Sequence, residues 1–133
     1  MKLMNDKIRS LLTQYPLYSQ DEKPYKFVIA KYFYPAGRFT WYAVEGNIIR
    51  QETTINGKAV VKEDVLFFGY VLGNDPTCDE WGYWLLSQLE EIVGTYGITV
   101  ERDLYFDNMC IDIHGNIREC PNNKDACCLQ PKN

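Results

Sequence analysis

The chain has 133 residues, of which 46% are apolar and 24% charged, and its formal net charge is −4. This length suits one domain whose core needs neither a metal ion nor disulfides for stability. The fourteen Lys and Arg residues are spread along the chain, so direct binding to a nucleic-acid backbone or to a membrane surface is not expected, and the acidity favours a protein partner with a basic groove.

An amphipathic helix is predicted over residues 5–15, because its apolar residues recur at helical spacing and form one stripe: Ile8, Leu11, Leu12 and Tyr15. Asn5 suits the N-cap position and Pro16 ends the helix. Charged residues interrupt this N-terminal region, so it has no apolar run long enough for a signal peptide or a membrane span. The sequence therefore predicts a cytoplasmic protein, and cysteines in that compartment are expected to be thiols.

Two β-hairpins are predicted next. The first joins residues 26–34 to residues 39–46, which are both rich in β-branched and aromatic side chains. The second joins residues 48–55 to residues 58–63 through Asn56-Gly57, a dipeptide that favours two-residue hairpin turns. Its flanks are much more polar than the neighbouring strands. This second hairpin is interpreted as a solvated β-arm, either an ordinary edge hairpin or an arm that binds a partner.

The middle of the chain combines a buried strand with aromatic residues. Residues 65–73 form the most apolar run, and Gly69 within it indicates a bulge or a close backbone approach. Residues 80–84, with the sequence EWGYW, are expected to form an aromatic corner. A short helix is predicted near residues 88–93, with Ser87 and Glu90 as its capping box and three inward side chains: Leu89, Ile92 and Val93.

The last third of the chain is predicted to begin with one more strand over residues 99–106, where apolar and polar residues alternate. A small hairpin across His114-Gly115-Asn116 follows, and the final residues are interpreted as a loose tail. The predicted fold class is α+β. It consists of an antiparallel sheet of about five or six strands with both helices packed on one face. The predicted division is a domain over residues 1–106 and a cysteine-containing extension over residues 107–133.

The extension holds the only histidine and four of the five cysteines: Cys110, His114, Cys120, Cys127 and Cys128. Zinc accepts such ligands, but their spacing is irregular and no C-x-x-C pair is present. Unpaired, partly exposed thiols are therefore the preferred interpretation, and no cofactor or metal ion is predicted.

An aromatic pocket is a second hypothesis. Its candidate lining is Trp41, Tyr42, Phe67, Tyr70, Trp81, Tyr83 and Trp84, with Glu45 and Arg102 as polar anchors. Core packing is the alternative explanation for at least half of these rings. Glu101, Arg102 and Asp103, together with Glu45 of a neighbouring strand, are also candidates for a structural ion pair that locks strand to helix, with a bidentate Arg102–carboxylate bond as its expected form. The complete set of candidate binding residues is Trp41, Tyr42, Glu45, Lys58, Lys62, Tyr70, Arg102 and Asp103.

Several segments together resemble one bacterial family. They are Trp41-Tyr42-Ala43 with Glu45-Gly46, Leu66 to Val71 with Gly73, Gly82-Tyr83, Leu86 to Glu90, and Val100 to Leu104 with Phe106. In this order they look like domain-of-unknown-function family 2958, over roughly residues 3–106. The chain differs from the family pattern in its longer polar hairpin at residues 48–63 and in its cysteine-containing extension.

The resemblance implies a cytoplasmic accessory protein of plasmids, conjugative elements or phage-like islands, often encoded near antirestriction genes. The leading hypothesis is therefore a non-catalytic protein that inhibits a host defence system, of antirestriction or anti-CRISPR type, by binding one of its proteins. The alternative is a module that binds a nucleotide-like small molecule in the aromatic pocket. A metal-dependent hydrolase that uses Glu45, Glu101 and Asp103 ranks last, because no recognisable catalytic set is present.

Overall fold

The computed structural model describes residues 2–120. Two helices, α1 (Asp6–Gln14) and α2 (Leu86–Glu90), accompany two antiparallel sheets, and this confirms the α+β class. The five-stranded sheet has the order β5-β4-β3-β2-β6, and the three-stranded sheet has the order β1-β7-β8. The strands are β1 (Tyr25–Phe27), β2 (Ala30–Phe33), β3 (Thr40–Ile55), β4 (Lys58–Leu72), β5 (Glu80–Leu85), β6 (Glu101–Arg102), β7 (Met109–Asp112) and β8 (Ile117–Glu119).

Helix α1 forms as the apolar spacing predicts. The Asn5 side chain accepts a hydrogen bond of 2.8 Å from the backbone N–H of Ile8, which caps the first turn. Ile8, Leu11 and Leu12 are buried against the five-stranded sheet. Within residues 2–120, no helix combines the length and the apolar character that a bilayer crossing requires.

The five-stranded sheet is covered on both faces. Its first face packs against both helices and carries Trp41, Phe67 and Trp84. Its second face carries a smaller cluster that includes Tyr42, Phe68, Tyr70 and Trp81. The β7–β8 hairpin covers the second face: Ile111 joins the cluster, and the Trp81 indole N–H donates to the Ile113 carbonyl at 3.0 Å.

Residues 80–84 do not form a corner. They belong to β5, an edge strand that pairs with β4 and places Trp81↔Tyr70 and Trp84↔Phe67 opposite each other. Successive side chains of a strand point to opposite faces, so Trp81 and Trp84 enter the two different clusters. The prediction of an aromatic corner was wrong, because a regular strand already packs the two tryptophan rings into clusters on opposite faces of the sheet.

Helix α2 lies earlier than predicted. It begins at Leu86, and the Gln88 side chain accepts a hydrogen bond of 2.8 Å from the backbone N–H of Leu85. The Ser87–Glu90 capping box is therefore wrong, and Ser87 bonds to Asp64 instead. Leu89 is buried as predicted, whereas Val93 lies beyond the helix and is 65% exposed.

The predicted strand over residues 99–106 is reduced to two residues, Glu101 and Arg102, which pair with β2. The Asp103 side chain accepts a hydrogen bond of 3.0 Å from the backbone N–H of Tyr105, and this local bond turns the chain away from the sheet. The following hairpin is confirmed, since β7 and β8 pair and Asp112 accepts from the backbone of the turn. Strand β7 also pairs with β1, which joins residues 107–120 to the earlier part of the chain.

Cys110 and Cys120 form a disulfide, with their Cα atoms 5.6 Å apart. The prediction of unpaired thiols is therefore wrong for these two residues, because the β7–β8 hairpin returns the chain to within disulfide range. His114 is exposed at the tip of that hairpin. No group of three metal-ligating side chains occurs within residues 2–120, and Cys127 and Cys128 lie outside the described residues.

Candidate functional site

The β-arm, residues 48–63, extends beyond the five-stranded sheet. Strand β2 pairs with β3 only as far as Ala43, and β5 pairs with β4 only from Leu66 onwards. Beyond these positions β3 and β4 pair with each other up to the turn at Asn56-Gly57, where both residues have the positive φ expected for this turn. At the usual rise per residue, the exposed part of the arm projects by about 20 Å.

The base of the β-arm is fixed to both helices. On one side, Arg9 of α1 contacts Glu63 at 2.7 Å, and this hydrogen bond holds the pKa of Glu63 below its ordinary value. On the other side, Ser87 of α2 donates to Asp64 through its hydroxyl at 2.5 Å and its backbone N–H at 3.1 Å. Burial opposes ionisation of Asp64, but these bonds and one from the Val65 N–H lower its pKa. The arm therefore leaves the body in a defined direction.

The strand register gives the β-arm two chemically different faces. Side chains of directly paired residues share a face, and side chains alternate along each strand. The basic face consists of Gln51, Thr53, Ile55, Lys58, Val60 and Lys62. The mixed face consists of Arg50, Glu52, Thr54, Ala59, Val61 and Glu63.

The basic face has two lysines and no carboxylate of its own, and Asp64, which follows Lys62 on the same side of β4 at the base of the arm, is bonded to Ser87. Within residues 2–120, neither Lys58 nor Lys62 forms an ion pair, whereas Glu63 on the mixed face is held by Arg9 and Arg50. Val60 is exposed on β4 between the two lysines, and Ile55 is exposed on β3 opposite Lys58. Two of the predicted binding residues thus lie together on a surface that combines positive charge with apolar side chains.

The remaining predicted binding residues do not share one pocket. Trp41 lies on the first face of the sheet, whereas Tyr42 and Tyr70 are paired on the second face. Strand alternation separates neighbouring side chains in this way, so the predicted lining is divided between the two faces, although Trp41, Tyr83 and Trp84 line a common hollow. Glu45 and Arg102 also lie in different surroundings and do not anchor a common ligand.

Glu45 fixes the connection between α1 and β1. Its carboxylate is 1% exposed and accepts hydrogen bonds from the backbone N–H groups of Tyr18 at 2.8 Å and Gln20 at 2.7 Å. The Gln20 side chain in turn donates to the carbonyls of Phe27 and Val44. This network satisfies buried backbone groups of a connection that lacks helix or strand bonds of its own.

Replacing Glu45 with Gln is expected to lower the free energy of unfolding by about 1.5–3 kcal/mol, because the amide can offer only one acceptor oxygen to the N–H donors of Tyr18 and Gln20. Urea unfolding of the full chain measures the change. The control is Glu22→Gln, an exposed carboxylate in the same connection, for which a change within about 0.5 kcal/mol is expected. Equal effects of the two substitutions would contradict the structural role of Glu45.

Arg102 and Asp103 make separate contacts. The Arg102 guanidinium donates to the Lys2 carbonyl at 2.8 Å, and Asp103 pairs with Lys31 at 3.1 Å. A bidentate arginine–carboxylate pair forms between Arg38 and Asp79, at 2.6 and 2.8 Å. This pair fixes the turn between β4 and β5, and the bidentate bond expected for Arg102 stays a prediction.

The three carboxylates of the hydrolase hypothesis are not assembled. Glu45 is bound to backbone N–H groups, and Asp103 is bound to Lys31. Glu101 belongs to β6 at the edge of the sheet. Within residues 2–120 they do not form a cluster with metal-binding spacing.

A groove opens beside Trp41 on the first face of the sheet. Phe39 stacks on Trp41, with ring centroids 6.1 Å apart, and hollows of about 230 and 390 Å³ lie on the two sides of this stack. Gly82 leaves open space in the larger hollow. Trp84 also lines it, and within residues 2–120 its buried indole N–H has no hydrogen-bond acceptor.

Comparison with known proteins identifies the family. The family model described as "Protein of unknown function (DUF2958)" matches residues 3–111, which is most of the chain. This match includes the resemblance seen in the sequence and extends it to Ile111 in β7. No curated protein and no solved structure matches the chain. The chain therefore belongs to domain-of-unknown-function family 2958.

Proposed function

We propose that this chain is a non-catalytic binding protein that holds a partner protein through the basic face of its β-arm. The setting implied by the resemblance is a mobile genetic element. In that setting the proposed partner is a component of a host defence system, and binding inhibits that component. The observation that carries the proposal is an arm that is fixed at its base to both helices and whose basic and apolar face is exposed.

Stability considerations support a binding role for the β-arm. A two-stranded ribbon is marginally stable in water, because it buries little apolar surface. This arm nevertheless exposes Ile55, Val60 and Val61, side chains that strengthen strand formation but gain nothing from remaining in water. A shorter turn at the end of the sheet would close the same fold. The fold does not require an arm of this length, so the extra length is better explained by a contact surface for a partner.

Charge indicates the kind of partner surface. The whole chain has a formal charge of −4, but the exposed face of the arm presents Lys58 and Lys62 without carboxylates. Complementary charge steers association and fixes register. The proposed partner surface is therefore acidic with an apolar centre. This differs from the basic groove that the overall charge alone suggests.

Replacing both Lys58 and Lys62 with Ala is expected to change the free energy of unfolding by no more than about 0.5 kcal/mol, because both side chains are exposed and make no ion pair within residues 2–120. Thermal unfolding followed by circular dichroism measures this. A loss above about 1 kcal/mol would show that the lysines stabilise the fold, and their effect on binding could then not be separated from folding.

The same variant tests the proposed function. Immobilised wild-type chain, the Lys58→Ala/Lys62→Ala variant and a Lys2→Ala/Lys7→Ala control are each incubated with host lysate. The control changes the net charge equally but lies at the start of the chain and at α1. The proposal predicts a captured defence protein that the arm variant loses and the control retains. Equal capture by both variants would place the contact elsewhere.

The groove beside Trp41 favours a second candidate, the binding of a nucleotide-like small molecule through its planar ring. The lining is mainly aromatic and apolar, and a ligand acceptor could satisfy the Trp84 indole N–H. The nearby Arg38 is already paired with Asp79, so phosphate groups gain little there. Thermal shift against nucleosides and nucleotides tests this candidate, since a ligand at a hundred times its Kd adds about 2.7 kcal/mol. No shift with any of them would remove it.

A further inference from the structure

One edge of the β-arm is open to strand addition. Strand β5 occupies the outer edge of β4 from Leu66 to Val71, and after Leu85 the chain turns into α2. Among the strands that the structure describes within residues 2–120, none lies beside the same edge of β4 from Lys58 to Asp64. Backbone N–H and C=O groups along such an edge can pair with another chain.

We propose that this edge accepts an extended acidic segment of the partner, which lies in line with β5 and extends the sheet by one strand. This inference rests on the proposed function and specifies its geometry. The segment would bond to the backbone of β4 between Lys58 and Asp64. Helix α2 and the Ser87–Asp64 bond would limit its inner end.

The side chains of β4 specify the sequence pattern of the segment. Lys58, Val60 and Lys62 project from the basic face at intervals of two residues. Side chains on an added strand pair with them directly, and opposite charges in such pairs are favourable. The matching segment therefore has acidic, apolar and acidic residues at alternate positions. Because this pattern reads the same from either end, it suits both strand directions.

The opposite edge of the β-arm is a poorer acceptor. On β3 the residues of the basic face are Gln51, Thr53 and Ile55, which are uncharged. The inner end of that edge is also occupied, because Asn47 accepts from the Leu17 N–H and the Gly46 N–H donates to the Tyr15 carbonyl. Both charges and the unobstructed backbone thus belong to β4.

The test uses the ¹⁵N-labelled full chain and two synthetic peptides of ten residues. One, the alternating Glu-Val peptide, repeats Glu-Thr-Val-Thr, so that glutamate and valine alternate along one strand face and match Lys58, Val60 and Lys62. The other has the same composition, but its glutamates are placed at adjacent positions, which distributes them over both faces. We expect the alternating peptide to shift the amide resonances of residues 58–64 and to bind about tenfold more tightly than the permuted one.

A charge exchange provides the second part of the test. The Lys58→Glu/Lys62→Glu variant is expected to lose at least about tenfold in affinity for the Glu-Val peptide and to bind a Lys-Val peptide of the same pattern instead. Absence of binding at millimolar peptide, equal affinity for the permuted peptide, or shifts confined to other residues would overturn strand addition. If host-lysate capture still depends on Lys58 and Lys62 in that case, the arm binds its partner by face packing and the proposed function stands.

Discussion

Replacing Phe67 with Ala is expected to lower the free energy of unfolding by about 3–5 kcal/mol, the largest effect of any substitution considered for this protein. Phe67 is fully buried at the centre of the first face, with its ring 5.8 Å from that of Tyr32 and 5.7 Å from that of Trp84. Removing the ring leaves a cavity that neighbouring strands cannot close. Because small domains have about 5–15 kcal/mol of stability in total, the variant would be close to unfolding.

Chemical unfolding followed by tryptophan fluorescence measures this loss. The matched control is Phe39→Ala, which removes the same ring from a position that is 39% exposed. Its expected loss is smaller by about 2 kcal/mol, since much of that ring already contacts water. A loss below about 1 kcal/mol for Phe67→Ala would contradict the packing of the first face.

Gly69→Ala is expected to cost about 3 kcal/mol, although it adds one methyl group. The β-bulge between Ala43 and Glu45 brings β3 close to β4 at this position. A Cβ at Gly69 would overlap the carbonyl oxygen of Tyr42, and backbone atoms cannot move aside as a flexible side chain can. The sequence suggested a close backbone approach at Gly69, and this contact identifies it.

Gly82 provides a control in the same strand pair. It lies directly opposite Gly69 on β5, and a Cβ built there meets no atom within 4 Å. Gly82→Ala is therefore expected to leave the free energy of unfolding within about 0.5 kcal/mol or to raise it slightly, because alanine has less freedom in the unfolded chain. Urea midpoints of the two variants measure the difference. Similar midpoints would disprove the backbone contact at Gly69.

Local patterns were sufficient to predict the local elements. The spacing of Ile8, Leu11 and Leu12 identifies α1, and Asn56-Gly57 identifies the turn of the β-arm. The helix and the turn are each determined by one short run of residues. The three-stranded sheet depends instead on pairing between β1 and β7, which are more than eighty residues apart. Sequence periodicity contains no information about such a partner, so this sheet was not predicted. The Cys110–Cys120 disulfide spans the predicted local hairpin, but it was not predicted because cysteines of a cytoplasmic protein were expected to be thiols.

The β-arm and its lysines were predicted, but the composition of its basic face was not. The composition of this face could have been predicted from the sequence, because a two-residue turn at Asn56-Gly57 fixes the register of the two strands and places Ile55 opposite Lys58. The same alternation separates Trp41 from Tyr42, so the division of the predicted lining between the two faces could also have been predicted from the sequence. The open edge of β4 could not be predicted, because it depends on the position at which β5 ends its pairing.

Site-specific cross-linking tests the proposed contact surface most directly. A photoreactive amino acid replaces Val60 in one variant and Thr54 in another, which places the same probe on the basic face of β4 and on the mixed face of β3, away from the open edge. Irradiation in host lysate is expected to join the partner to the Val60 variant and to leave the Thr54 variant largely unlinked. Equal cross-linking from both positions, or from neither, would contradict recognition through the basic face of the β-arm.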